Sequence, residues 1–156
     1  MKKILIATDG SDSGHEAVEF GLELAEEQGA WAHVVHVTPT VDSVPYSNFG
    51  FIAPVLPHEF DERDYEPLER AVELAAEKGM RIETKLLKGR PADEIVAYAD
   101  SIEADLIVVG SRGHGALTSA LIGSVSRGVL RESRRPVLIV RGTPVPAETA
   151  KVAVTT

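Results

Sequence analysis

The chain has 156 residues, with 16 basic against 24 acidic side chains and a net charge of −8. A length near 150 predicts one domain, and such a domain buries about 68–70% of its unfolded surface, enough for a core without covalent staples. With no cysteine, disulfide scaffolds, zinc–thiolate sites, iron–sulfur clusters and thiol nucleophiles are excluded. A pI near 5.1 argues against nucleic acid as the partner, because binding a phosphate backbone needs a broad basic surface. No apolar run reaches the roughly 18 residues of a membrane span. The start, Met1-Lys2-Lys3 followed by Ile4-Leu5-Ile6-Ala7, meets Asp9 with no cleavage site, so the expected setting is the cytoplasm.

Taken in chain order, apolar runs alternate with helical patterns. Ile4–Thr8 opens as an unbroken apolar strand, and Ser13–Gln28 follows as a helix. In that helix Ala17, Val18, Gly21, Leu22 and Ala25 keep i, i+3, i+4, i+7 spacing, and Gly29 stops it. Ala32–Val37 is the second strand. The stretch 38–60 then breaks the rhythm: Pro39, Pro45, Pro54 and Pro57 with Tyr46, Phe49 and Phe51 show no helical period. A connection of that length is read as a long flexible loop, either a floppy insert or, as its aromatic residues favour, a partly ordered flap near the ligand or a partner. Asp61–Lys78 is the second helix, with a stripe of Leu68, Ala71, Val72 and Ala75 and a stop at Gly79.

Ile82–Leu87 alternates in part (Ile82-Glu83-Thr84-Lys85-Leu86), which places it at a sheet edge with one wetter face. Ala92–Ile102 forms a shorter helix with Pro91 near its first turn, where a missing N–H costs nothing. Asp105–Val109 and Pro136–Val140 are the last two strands, with a fourth helix expected over Thr118–Ser133. The segment 143–156, with Pro144 and Pro146, reads as a mobile tail. Unbroken apolar strands suit a parallel sheet covered on both faces. The order βαβαβαβαβ implies right-handed crossovers. The expected architecture is therefore a doubly wound, Rossmann-like α/β sandwich over residues 1–142: three layers, a five-stranded parallel sheet, strand order 3-2-1-4-5.

The densest chemical signal follows the fourth strand: Gly110-Ser111-Arg112-Gly113-His114-Gly115, then Gly123-Ser124-Val125-Ser126. Glycines allow close backbone approach and positive φ, so successive N–H groups can converge on one concavity. The helix that follows adds unpaired N–H donors and the positive end of its dipole. Hydroxyls of Ser124 and Ser126 add donors, and Arg112 and His114 add positive charge. Together they describe a phosphate cradle. The competing reading is a tight strand-to-helix turn whose small residues serve packing.

Position in the fold favours the cradle. In open α/β sheets, ligands sit beyond the carboxyl ends of the strands, where the strand order reverses. In the order 3-2-1-4-5 the first and fourth strands flank that point, so Asp9 faces the glycine loop across a crevice. Its carboxylate is placed for a ribose hydroxyl, an adenine amino group or a hydrated metal ion; the plainer reading is a helix or turn cap. There is no G-x-x-x-x-G-K-[ST] phosphate loop, no G-x-G-x-x-G at the first helix and no kinase signature. The histidines lack metal-site spacing, since His33 and His36 point to opposite faces of one strand.

Asp9 after the first strand, Val35-His36-Val37 at the second and Gly110-x2-Gly113-x9-Gly123-Ser124 resemble the universal stress protein family, across essentially Met1 to Gly142. The G-2X-G-9X-G-[ST] motif marks the ATP-binding branch of that family. The resemblance implies an α/β fold that binds ATP (or ADP or AMP) with Mg²⁺ or Mn²⁺, usually as a homodimer, in stress resistance. It implies that Ala7, Thr8, Asp9 and the backbone of Val37 hold adenine, and that Gly110 lies under ribose. Ser111, Arg112, Gly113, His114 and Gly115 would line the phosphates. Gly123, Ser124, Val125 and Ser126 would close over them at the helix start. The long loop after the second strand varies in such proteins and leaves the protein partner open.

The expected function is thus a nucleotide-dependent regulatory module, with a dimer built on the apolar edge Val137 to Val140. An enzyme reading, a slow ATPase or nucleotidyl-transferring enzyme on the same fold, stands beside it. Efficient phosphoryl transfer needs a positioned base or water-orienting residue and charge clamps. For those roles Asp9, Arg112 and His114 are the obvious candidates, and no catalytic residue is assigned. A ligand-free interaction protein would leave the glycine cradle idle.

Overall fold

The computed structural model describes residues 1–40, 59–112 and 122–142. The strands are β1 (Lys3–Ala7), β2 (Trp31–Thr38), β3 (Ile82–Lys88), β4 (Leu106–Gly110) and β5 (Val137–Val140). The helices are α1 (Asp12–Gln28), α2 (Glu62–Glu77), α3 (Pro91–Ser101) and α4 (Ser124–Glu132). All strands pair in parallel in one sheet of order β3-β2-β1-β4-β5, as the sequence pattern predicts. Most of the loop expected over 38–60, from 41 to 58, and the whole tail 143–156 lie outside the described residues. Among the described residues no helix is long and apolar enough to cross a membrane.

Each central strand buries both faces, which is why its sequence does not alternate. Ile4, Ile6, Val34 and Val108 point to one side and pack on Val18 and Leu22 of α1 and Leu68 and Ala71 of α2. Leu5, Val35, Ile107 and Val109 point to the other and pack on Ile95 and Ala99 of α3 and Val129 of α4. Fully burying such a side chain contributes about 1.5–3 kcal/mol, so these two layers fasten the sheet between its helices. At the edge, β3 exposes Glu83, Thr84 and Lys85, the wetter strand that its alternation predicts.

Local signals place most helix ends. The Ser11 hydroxyl caps α1 by accepting from the Gly14 N–H, and Gly29 closes it in the left-handed region at φ 60°. Asp61 and Asp64 form a capping box at the start of α2. Pro91 stands at the first position of α3. The fourth helix departs from expectation. It begins at Ser124, and Gly123 before it is extended (φ −72°, ψ 167°), so a start at Thr118 is corrected. The Gly123 N–H donates to the Ser111 carbonyl at 2.6 Å, which ties this residue back to the end of β4 and keeps it out of the helix.

Candidate functional site

Beyond the carboxyl ends of β1, β2 and β4 lies a cavity of about 510 Å³. It opens where the strand order reverses, between β1 and β4. Its inner wall is apolar, formed by Ala7, Val35, Val37, Ile95 and Val109. Its outer wall carries Thr8, Asp9, Arg112, Ser124 and Arg127. A volume in the range of about 300–1,000 Å³, with an apolar floor and few polar groups, is typical of a small-molecule site.

Two close approaches, at Gly14 and Gly110, shape the floor, and a third fixes the turn after β1. A Cβ at Gly14, in the first turn of α1, would lie 2.7 Å from Thr8 Oγ1 and 2.9 Å from Asp9 Oδ1. Glycine there lets the helix start sit directly on the end of β1. A Cβ at Gly110 would lie 2.6 Å from both the carbonyl oxygen and the Oγ of Ser13. This glycine is thus demanded by packing against α1, whatever it does for a ligand. Gly10 holds the turn after β1 at φ +79°, and its Cβ would come 3.1 Å from Pro67 of α2.

The polar groups are held by named partners. Asp9 Oδ1 accepts from the Ser11 N–H at 2.9 Å and from the Ser11 hydroxyl. The cap of α1 is therefore Ser11, with Asp9 bracing it, rather than Asp9 itself. His36 Nδ1 lies 2.9 Å from the Thr8 carbonyl oxygen. A carbonyl can only accept, so Nδ1 carries the proton and clamps β2 to the end of β1. The Arg112 N–H donates to Ser13 Oγ at 3.1 Å, leaving its side chain exposed. The Ser126 hydroxyl donates to the Gly110 carbonyl at 2.6 Å. Gly123 offers α4 no side-chain cap, and the first turn of that helix holds no acidic residue, so the positive end of its dipole faces the cavity without internal compensation.

Of the residues expected at the site, Ala7, Thr8, Asp9, Val37, Gly110, Arg112, Gly123, Ser124, Val125 and Ser126 line this one cavity. Ser111 is buried and is not among the lining residues. Its N–H donates to the Val140 carbonyl at 2.8 Å, and its own carbonyl receives Gly123. Gly113, His114 and Gly115 lie outside the described residues. The cavity also draws in residues that sequence reasoning missed, among them His36, Pro39, Pro91, Ile95 and Arg127. Two of these had a legible signal: Pro39 and Pro91 come just after the ends of β2 and β3, where sheet ligands gather. Arg127 had only its spacing, one helical turn after Gly123.

Comparison with known proteins agrees with this fold. The Universal stress protein family profile matches residues 1–141. A universal stress protein of Bacillus subtilis, YxiE, is 40% identical over 148 residues, spanning 90% of this chain and 99% of the relative. One from Methanocaldococcus jannaschii is 38% identical over 143 residues, spanning 90% of this chain and 82% of the relative. A universal stress protein solved in complex with cAMP is similar at a TM-score of 0.65 and 30% identity, covering 89% of this chain and 95% of that one. A universal stress protein of Archaeoglobus fulgidus in complex with dAMP has a TM-score of 0.64 and 27% identity, covering 89% and 97%. By its sequence over 141 residues and by its fold, this chain belongs to the universal stress protein family.

Proposed function

We propose that the cavity binds an adenine nucleotide, ATP foremost with ADP and AMP as related ligands, and that the chain is a nucleotide-dependent regulatory module in the stress response. The observation that carries this reading is the convergence of Asp9, Val37, Gly110 and the Gly123–Ser126 segment on one cavity. The apolar wall of Ala7, Val35, Val37 and Val109 suits a purine ring, and the start of α4 with Arg112 suits phosphate. The nucleotides bound by the two solved relatives, cAMP and dAMP, support the adenine part.

A divalent ion, Mg²⁺ or Mn²⁺, accompanies the phosphates in this reading. Among the described residues no group of three or more His, Asp and Glu could hold a metal ion. Asp9 is the lining carboxylate, so phosphate oxygens and water would supply the remaining ligands. The ion would offset the charge of the phosphates against a chain already at −8.

Two further parts belong to the proposal. The chain forms a homodimer through β5, whose outer edge has no neighbouring strand among the described residues, and it works in the cytoplasm as a single domain over residues 1–142. The direct test of the nucleotide is to denature the purified protein and identify what it releases, then titrate Mg-ATP into the emptied protein by calorimetry. A released adenine nucleotide and saturable binding bear the reading out. A protein that carries no nucleotide and takes none up refutes it.

A further inference from the structure

Arg127 lines the cavity although it lies beyond the glycine–serine segment. It is the fourth residue of α4, and side chains on a helix lean toward its N-terminus. Its guanidinium Nη2 does so here, donating to the Ile122 carbonyl at 3.3 Å. That contact sets a cation over the turn that enters the helix. A cation there adds to the positive dipole end and is intrinsically disfavoured. The first turns of α1, α2 and α3 instead carry Asp or Glu.

Arg112 borders the same cavity. Among the described residues, the cavity lining sets these two guanidiniums against one carboxylate, Asp9. In a chain with 24 acidic residues for 16 basic ones, a lining with two guanidiniums for one carboxylate reverses the overall charge balance and suits a strongly anionic ligand. One phosphate monoester carries about −1.5 to −2 charges near neutral pH. A helix start and a single guanidinium match that charge; a second guanidinium calls for further phosphate.

We propose that Arg127, working with Arg112, reads the length of the ligand's phosphate chain and makes the cavity prefer nucleoside di- and triphosphates to monophosphates. This rests on the nucleotide reading above. The planar guanidinium fork suits two oxygens of one phosphate, which a lysine ammonium engages only as a point charge. Arg127 is exposed, so its replacement leaves the fold intact.

The test compares ATP, ADP, AMP and inorganic tripolyphosphate by titration calorimetry on the wild type, Arg127→Gln and Arg127→Lys, with melting temperatures as the check on folding. The wild type should bind ATP about tenfold or more tighter than AMP. Arg127→Gln should lose about tenfold for ATP and tripolyphosphate while AMP changes less than about twofold, and Arg127→Lys should recover part of the loss. Equal losses for ATP and AMP, or no loss for ATP, overturn the inference while leaving nucleotide binding in place. Tripolyphosphate binding that depends on Arg127 in a protein blind to all the nucleotides refutes the purine reading and, with it, the preference among nucleotides. A wild type that binds none of the four overturns both.

Discussion

The Ser126 hydroxyl and the Gly110 carbonyl oxygen stand 2.6 Å apart, a hydrogen bond that fastens the first turn of α4 to the end of β4. Two serines in one motif therefore have different duties. Ser126 is buried and its proton is committed to the backbone, whereas Ser124 is exposed on the cavity.

Ser126→Ala removes that bond and strips the Gly110 carbonyl of its donor, at a cost of about 1–2 kcal/mol. In a chain of this size the melting temperature should fall by about 2–4 °C per kcal/mol. Ser124→Ala should stay within about 0.5 kcal/mol of the wild type in stability and weaken Mg-ATP binding. Calorimetric melting and binding on the two variants separate the roles. A stable Ser126→Ala would show that the clamp contributes nothing.

Gly110→Ala brings a Cβ to 2.6 Å from the Ser13 carbonyl oxygen, closer than side chains tolerate. Because that oxygen belongs to the packed backbone of α1 and cannot swing aside, the strain should cost about 1–3 kcal/mol. Urea denaturation measures it directly. The same variant should lose nucleotide affinity, since α1 and β4 can no longer approach so closely at the cavity floor.

At the opposite end of the sheet, Asp105 accepts from the Lys3 N–H at 2.9 Å and the Lys2 N–H at 2.6 Å. These backbone donors, Lys3 first and then Lys2, hold its carboxyl below the usual carboxylate value, with help from the N-terminal ammonium and the Lys2 charge. A carboxyl lowered in the folded state stabilises above its unfolded value, near 3.9. That stabilisation disappears as pH falls through the folded value. In Asp105→Asn, stability should therefore depend less steeply on pH below about 5, read from melting temperatures across an acid series. Superimposable profiles for the two proteins would remove Asp105 from the account of acid sensitivity.

The dimer proposal concerns β5, whose four residues Val137–Val140 are each half-buried. An apolar strand at a sheet edge exposes unpaired backbone donors and acceptors to a second chain. Ile139→Lys should give monomers by light scattering, while Lys at an exposed position such as Val72 of α2 should not. A wild type that is already monomeric at micromolar concentration refutes the pairing.

Binding without efficient turnover is the last expectation. Backbone donors and guanidiniums that greet ground state and transition state alike do not raise turnover. Phosphate release under saturating Mg-ATP should run far below the ordinary enzyme median of about 10 per second. Asp9→Asn should change affinity more than turnover. Release above about 1 per second that is abolished by Asp9→Asn would promote the enzyme reading. Removal of the divalent ion with EDTA should weaken ATP binding; unchanged affinity would exclude the ion from the site.

Unbroken apolar runs such as Ile4–Ala7 and Leu106–Val109, short and bounded by turn residues, suit strands buried on both faces, so the parallel sheet was legible from the chain, and the expected strand order is the one observed. Gly29 and Pro91 likewise carry their instructions locally, through a left-handed φ and a missing N–H. The glycine and serine motif also marked the end of the sheet where the cavity lies. The start of α4 was not legible, because the stretch from Thr118 keeps an apolar helical character and the hydrogen bond from Gly123 to Ser111 comes from a strand a dozen residues away. The division of labour among Ser111, Ser124 and Ser126 was equally hidden, since a hydroxyl's partner depends on which backbone passes within 3 Å. Only the packing of α3 on β2, and of α4 on α3 and β5, brings Ile95, His36 and Arg127 to a common cavity. Local pattern dictates which segments become strands and helices; the facing of side chains from distant segments is decided by the close packing that joins them.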